Sequence, residues 1–253
     1  LSQLPSFFDL IIVSTSADVR CKLVAHLSDH CQADYWVLEK VLAQSPKEVA
    51  ELQFLLRNSS ACWVNTPMYL SPLYRNIRSL YHDESIISAN FEGYNGLVCN
   101  AIHYIDFISR WRGSHLIDVS TSGLAPVWHP AKRKGFYDVD GEIYLGFSDG
   151  STLRLFSDRN DLGFKATLSV GEDQWQVFES EGIARCQDGR QISGSVEFQS
   201  DLTPPLVQKI FSGVPCGLPT LEESSRQHIP LLEALTIHWN SHMPLPIDRL
   251  PIT

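Results

Sequence analysis

Short apolar runs alternate with helically spaced apolar residues over the first quarter of the chain. Asp9-Leu-Ile-Ile-Val-Ser-Thr-Ser16 is a continuous apolar run closing on small hydroxyl residues. That pattern predicts a buried parallel strand whose C-terminal end opens into a loop. Val19, Leu23, Val24 and Leu27 follow at helical spacing within residues 17–30. Tyr35-Trp-Val-Leu38 predicts a second buried strand, ending at Glu39-Lys40. Ser45-Pro46-Lys47-Glu48 has the form of a capping box with proline at the first helical position. It starts a helix with Val49, Leu52, Leu55 and Leu56 on one face. Ala61-Cys-Trp-Val64 predicts a third strand, followed by Asn65-Thr-Pro67. Strand, helix, strand, helix, strand at this spacing means a parallel sheet covered by helices.

Beyond residue 67 the pattern changes. Ser71-Pro72 opens a helix to about Tyr81, and residues 97–112 predict another, with Leu97, Ala101, Ile105, Ile108 and Trp111 as its buried stripe. Ile143–Phe147, Thr152–Phe156, Ala166–Val170, Gln174–Glu179, Ile183–Cys186 and Gly194–Phe198 then read as short strands, several of them separated by Asp-Gly turns. Such a run of hairpins implies a largely antiparallel sheet. Helices near 203–212, started by Pro204-Pro205, and near 220–240 close the chain. The fold class is therefore α/β: a parallel unit over residues 1–67, then an α+β unit over 68–253 with a largely antiparallel sheet.

Composition narrows the function classes. Hydrophobic residues make up 43% and charged residues 19% of the 253 positions, as in ordinary globular proteins. The formal charge of -9 argues against non-specific nucleic-acid binding. The local basic run Lys132-Arg133-Lys134 reads as a solvated loop. Six scattered cysteines show no CxxC pair, so free thiols in a reducing cytoplasm are the simpler reading. No apolar run is long enough to span a bilayer. The chain starts at Leu1 rather than methionine, and the expectation is that it begins inside a longer gene product.

Ligands of open parallel sheets bind outside the carboxyl ends of the strands, and here those ends carry Ser14-Thr15-Ser16 and Glu39-Lys40. A lysine facing a cleft can be tuned for proton transfer; the alternative is a surface Glu39–Lys40 ion pair. On the helix over 97–112, Asn100, His103 and Asp106 lie close to one face, which Cys99 partly shares. His103 can relay the proton of a substrate hydroxyl, with Asp106 orienting the imidazole or capping a neighbouring element; the alternative is a structural histidine. There is no HExxH, GxSxG or GxxxxGK[ST], and the nine histidines show no metal-ligand spacing.

In order, these pieces resemble the glucose-fructose oxidoreductase, inositol dehydrogenase and rhizopine-catabolism family. Asp9–Ser16 resembles its fourth nucleotide-domain strand and the cofactor-contacting loop after it. Val37–Ser45 resembles the Glu-Lys-Pro segment, with Val41 in place of proline. Val64–Tyr74 resembles the strand-to-helix crossover, and Asn95–Asp106 the helix carrying the active-site histidine. Leu218–Thr253 resembles the closing stretch of members encoded with surface-polysaccharide genes. The resemblance implies a partial Rossmann-like parallel domain over 1–67 and an α+β domain over 68–253 with an open, mostly antiparallel sheet. It also implies hydride transfer between NAD or NADP and a sugar-like or sugar-nucleotide substrate, and a homo-oligomer formed through the antiparallel sheet. It implies Lys40 and His103 as proton-handling residues, Cys99 and Asn100 at the substrate, and Ser14, Thr15, Ser16, Glu39 and Lys40 at the cofactor.

Three departures bear on activity. No GxGxxG occurs, so the chain as given is expected to bind dinucleotide poorly. Cys99 stands four residues before His103, where many members have aspartate, and Met68-Tyr69 stand where the crossover often has arginine. A catalytically inactive homologue acting as a binding or structural subunit is the alternative expectation.

Overall fold

A computed structural model describes residues 4–82, 85–93, 96–159, 163–197 and 199–253. Leu1–Gln3, Asn95 and Phe198, named in the sequence reading, lie outside these. Two sheets form the frame. In the first, β1 (Phe7–Val13), α1 (Ala17–Ser28), β2 (Gln32–Leu38), α2 (Pro46–Leu55) and β3 (Ala61–Val64) alternate. The three strands pair parallel in the order β1-β2-β3, with Val13 beside Leu38 and Leu38 beside Val64. A 3-10 turn, Pro67–Leu70, leads to α3 (Pro72–Arg78).

The second sheet takes β4 (Ile87–Glu92) before the long helix α4 (Leu97–Arg112). It then takes β5 (Leu116–Pro130), β6 (Tyr137–Phe147), β7 (Thr152–Ser157), β8 (Lys165–Val170), β9 (Asp173–Phe178), β10 (Ile183–Cys186) and β11 (Gln191–Ser193). Its order is β11-β10-β9-β8-β4-β7-β6-β5, antiparallel throughout except for the parallel pair β4 and β7. This is the mixed arrangement expected from the sequence: a parallel sheet, then an open, mostly antiparallel one. The helices α5 (Gln199–Phe211) and α6 (Leu221–His242) follow. Leu206 and Ile210 of α5 cluster with Val37, Cys216 and Leu218 on the parallel sheet.

Helix α4 buries all five residues of the predicted stripe. It starts at Gly96, whose φ of 80° is left-handed and whose added Cβ would lie 2.7 Å from the Cys99 sulfur, so only glycine suits the position. Elsewhere the reading needs correction. In α1 the buried residues are Ala17, Arg20, Cys21 and Val24, whereas Val19 is exposed. β1 is an edge strand, with Phe7 and Ile12 exposed, rather than a fully buried one. Gly194–Val196 is not a strand. Gly194 instead presses on the Leu73 backbone, and Leu73 N–H donates to Ser195 O at 3.1 Å, so this extended segment caps α3. Pro204 and Pro205 lie inside α5, on an exposed face where the carbonyls they leave unpaired meet water.

Two helix starts follow the sequence closely. Ser45 Oγ accepts the Glu48 N–H at 3.3 Å, although the Glu48 carboxylate reaches Gln44 N–H rather than closing the box on Ser45. Thr220 and Glu223 form a complete capping box at α6, at 3.1 and 2.7 Å. Thr220→Ala is expected to cost about 1 kcal/mol, lowering the melting temperature by roughly 2–4 °C; calorimetry on the two proteins checks this. No described helix is long and apolar enough to cross a membrane.

Candidate active site

Because β1 and β2 run parallel and in register, their carboxyl ends open on the same side. The loops that follow carry Ser14-Thr15 and Glu39-Lys40. A buried arginine on α1 ties these loops together. Arg20, fully buried, donates to the carbonyls of Val41 and Leu42 and to that of Thr15. Burial lowers its pKa to about 10, with Glu39 and Asp18 acting the other way, so the group stays charged at neutral pH. A guanidinium presents several donors in a fixed fork, and here it pins one loop to the other. His228 of α6 completes the clamp by accepting the Leu42 N–H on Nε2 at 3.1 Å. The Lys40–Val41 peptide between these anchors is cis.

Lys40 does not pair with Glu39. Its ammonium donates to Asn100 Oδ1 at 2.6 Å and to the Cys99 carbonyl at 3.3 Å, joining the parallel sheet to the first turn of α4. Glu39 turns the other way. Its carboxylate accepts from the Lys40 N–H, from Asn65 Nδ2 at 3.2 Å and from Gln199 Nε2 at 3.0 Å, so protein groups satisfy it.

Two cavities lie near the Lys40–Asn100 pair, one lined by Lys40 and the other by Asn100. The larger, of about 680 Å³, is lined by Ser14, Thr15, Glu39, Lys40 and Cys99 together with the β5–β6 turn. Thr15 contributes a buried hydroxyl that has no hydrogen-bond partner. Ser16 stands apart from that lining as the N-cap residue of α1. The smaller cavity, of about 240 Å³, is lined by Asn100, His103, Tyr104 and Glu179 among others. The predicted set is thus divided, and the Lys40–Asn100 hydrogen bond links its two halves.

His103 lines the smaller cavity and makes no hydrogen bond to a described residue. Burial first, then the charges of Lys40 and His228, lower its pKa to about 3, so the imidazole is neutral at physiological pH. Asp106 does not orient it. The Asp106 carboxylate instead accepts the hydroxyls of Thr66 at 2.7 Å and Ser224 at 2.8 Å. Ser224 also lies 3.2 Å from His228 Nδ1, extending this buried chain to the Leu42 clamp. Burial raises the Asp106 pKa to about 6 and lowers that of His228 to about 4.

In place of a carboxylate, position 99 offers a thiol whose pKa burial raises, with the Lys40 charge opposing. A carboxylate reaches the same cavity from β6. Asp138 Oδ1 accepts the N–H groups of Val98 and Val139 at 3.1 and 3.0 Å, capping α4. Sequence reasoning missed Asp138, Arg20 and His228. The one available signal was an arginine in the interval between the apolar positions of α1. Away from these cavities, Asp173, Cys186 and Asp188 converge, but the cation among them is Arg190, 2.7 Å from Asp173 and 2.5 Å from Asp188.

No known protein family matches the sequence, and no curated protein is similar to it. Solved structures do match the fold. An oxidoreductase domain protein from Kribbella flavida superposes with a TM-score of 0.69 at 13% identity, over 92% of this chain and 78% of that one. UDP-N-acetylglucosamine 3-dehydrogenase from Acidithiobacillus ferrooxidans gives 0.66 at 10% identity, over 91% and 77%. An oxidoreductase assigned as NADPH-dependent from Desulfitobacterium hafniense gives 0.65 at 12%, over 94% and 79%. At these identities the likeness establishes the fold: this chain folds as those oxidoreductases do.

Proposed function

We propose that this protein is an oxidoreductase that moves a hydride between NAD or NADP and a sugar-like substrate bound at Lys40. The observation that carries the reading is the placement of Lys40. It stands at the carboxyl end of β2, on the wall of the 680 Å³ cavity, with its ammonium aimed by Asn100 and by the Cys99 carbonyl. A cavity of this size suits a small organic ligand.

The residues present fit the nicotinamide end of such a cofactor. The orphaned Thr15 hydroxyl needs a polar partner, and Ser14 and Lys40 offer further polar groups along the same lining. When bound, the nicotinamide would supply the two-electron acceptor or donor. The chain's own residues would manage the proton. Lys40 Nζ would hold the substrate oxygen and take or return its proton, according to the direction of reaction. His103, a neutral imidazole in the adjoining pocket, would accept a hydrogen bond and so help orient the group whose proton Lys40 handles. Asn100 would keep the ammonium in position between turnovers.

Titration of the protein with NADH and with NADPH, followed by nicotinamide fluorescence, tests the reading. Weak but saturable binding is expected with at least one of them, because the chain carries no GxGxxG to hold the diphosphate. Thr15→Val should weaken it by roughly fivefold, the worth of one hydrogen bond of about 1 kcal/mol. No binding of either dinucleotide would move the assignment to a non-catalytic binding or structural subunit.

A further inference from the structure

The turn between β5 and β6 is the solvated basic loop expected from the sequence, but it also borders the larger cavity. Lys132 and Arg133 are exposed there, and Arg159, just after β7, lies on the same lining. In a chain of net charge -9 this local concentration of cations stands out.

The partners of the charged groups decide what the rim can do. Each carboxylate of the lining is already engaged within the protein. Glu39 accepts from Asn65 and Gln199, and Asp138 from two backbone N–H groups at the start of α4. Asp140 accepts from Arg159 Nε at 2.9 Å and from the Arg159 N–H at 3.2 Å, with His129 Nε2 3.4 Å away. Among the described residues, the side chains of Lys132 and Arg133 have no hydrogen-bond or ion-pair partner. Among the described residues, the Arg159 side chain is held through Nε, so Asp140 fixes its guanidinium and its two terminal nitrogens have no partner there. The hydrogen-bonding capacity left over at the cavity mouth is therefore cationic. It combines one oriented guanidinium fork with two exposed cations, a set suited to several oxygens of one anionic group.

The geometry points to an anion subsite on this rim that takes the phosphate or diphosphate group of a molecule whose reacting end lies at Lys40. The placement of that reacting end rests on the oxidoreductase reading; the anion subsite stands on the free cations. The phosphate can belong to a sugar-nucleotide substrate or to the dinucleotide.

Inorganic pyrophosphate is the probe, titrated calorimetrically into the protein and into the double variant Lys132→Ala, Arg133→Ala. Both substituted residues are exposed, so an unchanged melting temperature is expected for the variant. Pyrophosphate should bind the parent, more weakly as salt rises, and the variant should lose roughly tenfold or more in affinity. Displacement of pyrophosphate by UDP-N-acetylglucosamine would assign the subsite to the substrate, and displacement by NADPH to the cofactor; either supports it. No pyrophosphate binding, binding that the double variant leaves unchanged, or binding that neither nucleotide displaces would overturn it. Dinucleotide binding that persists alongside a failed pyrophosphate titration would remove the subsite alone. Pyrophosphate binding without dinucleotide binding would remove the oxidoreductase reading alone.

Discussion

Lys40→Met is expected to lower turnover by about 100-fold or more, the usual consequence of removing a proton-transfer group, with little change in stability. The small stability effect follows from what the lysine touches. Its partners, Asn100 Oδ1 and the Cys99 carbonyl, border cavities that water can enter, so losing the ammonium does not leave them dry. The loop itself is held by Arg20 and His228, neither of which the substitution touches. Lys40→Arg separates positioning from proton transfer. A guanidinium keeps the charge and the donors but does not give up a proton in the working pH range. Steady-state kinetics should therefore show a KM near that of the parent and a kcat close to that of Lys40→Met. A kcat within tenfold of the parent in both variants would remove Lys40 from proton transfer and leave it a role in binding.

The sequence made some of this visible and hid the rest for identifiable reasons. Helix α4 was legible because its apolar residues recur at helical spacing and all meet one core, while Gly96 and Gly113 bound it. Lys40 was legible as a lysine at a strand end, but its hydrogen bond to Asn100, 60 positions on, was not. β5 escaped because Ser120, Gly123, Pro126 and three register shifts interrupt its alternation, and the long pairing with β6 alone sustains it. Gly194–Val196 misled because an extended conformation leaves the same pattern whether it joins a sheet or caps a helix. The clamp was hidden more deeply. Arg20 and His228 are separated by 208 positions, and no local pattern brings them to the same loop. The basic turn was legible as a turn, but its position over a cavity is tertiary information.

Three buried groups around the clamp contribute with opposite signs to the protein's response to acid. His103 and His228 have pKa values lowered to about 3 and about 4 from 6.5, so they favour the folded state above pH 6.5 and lose that contribution as pH falls. Asp106 has the opposite sign. Raised to about 6 from 3.8, its contribution is full below pH 3.8 and is lost as pH rises through 6. Each titrating group changes stability by about 1.4 kcal/mol per pH unit within its window. Between pH 6 and 4 two histidines oppose one aspartate, which leaves these three groups a net loss of about 1.4 kcal/mol per unit on acidification. Asp106→Asn keeps an acceptor for the Thr66 and Ser224 hydroxyls but removes the opposing titration. Its acid limb should be steeper by about 1 kcal/mol per pH unit, so that its stability relative to the parent falls by roughly 3 kcal/mol from pH 7 to pH 4. His103→Asn, at a side chain with no hydrogen bond to lose, should instead make the parent's limb shallower by about 1 kcal/mol per pH unit over pH 4–6. Denaturant titrations of the three proteins across this range distinguish the cases. Parallel curves for Asp106→Asn and the parent would mean that Asp106 is already ionised throughout the range, and that the hydroxyls of Thr66 and Ser224 suffice to hold its charge in the core.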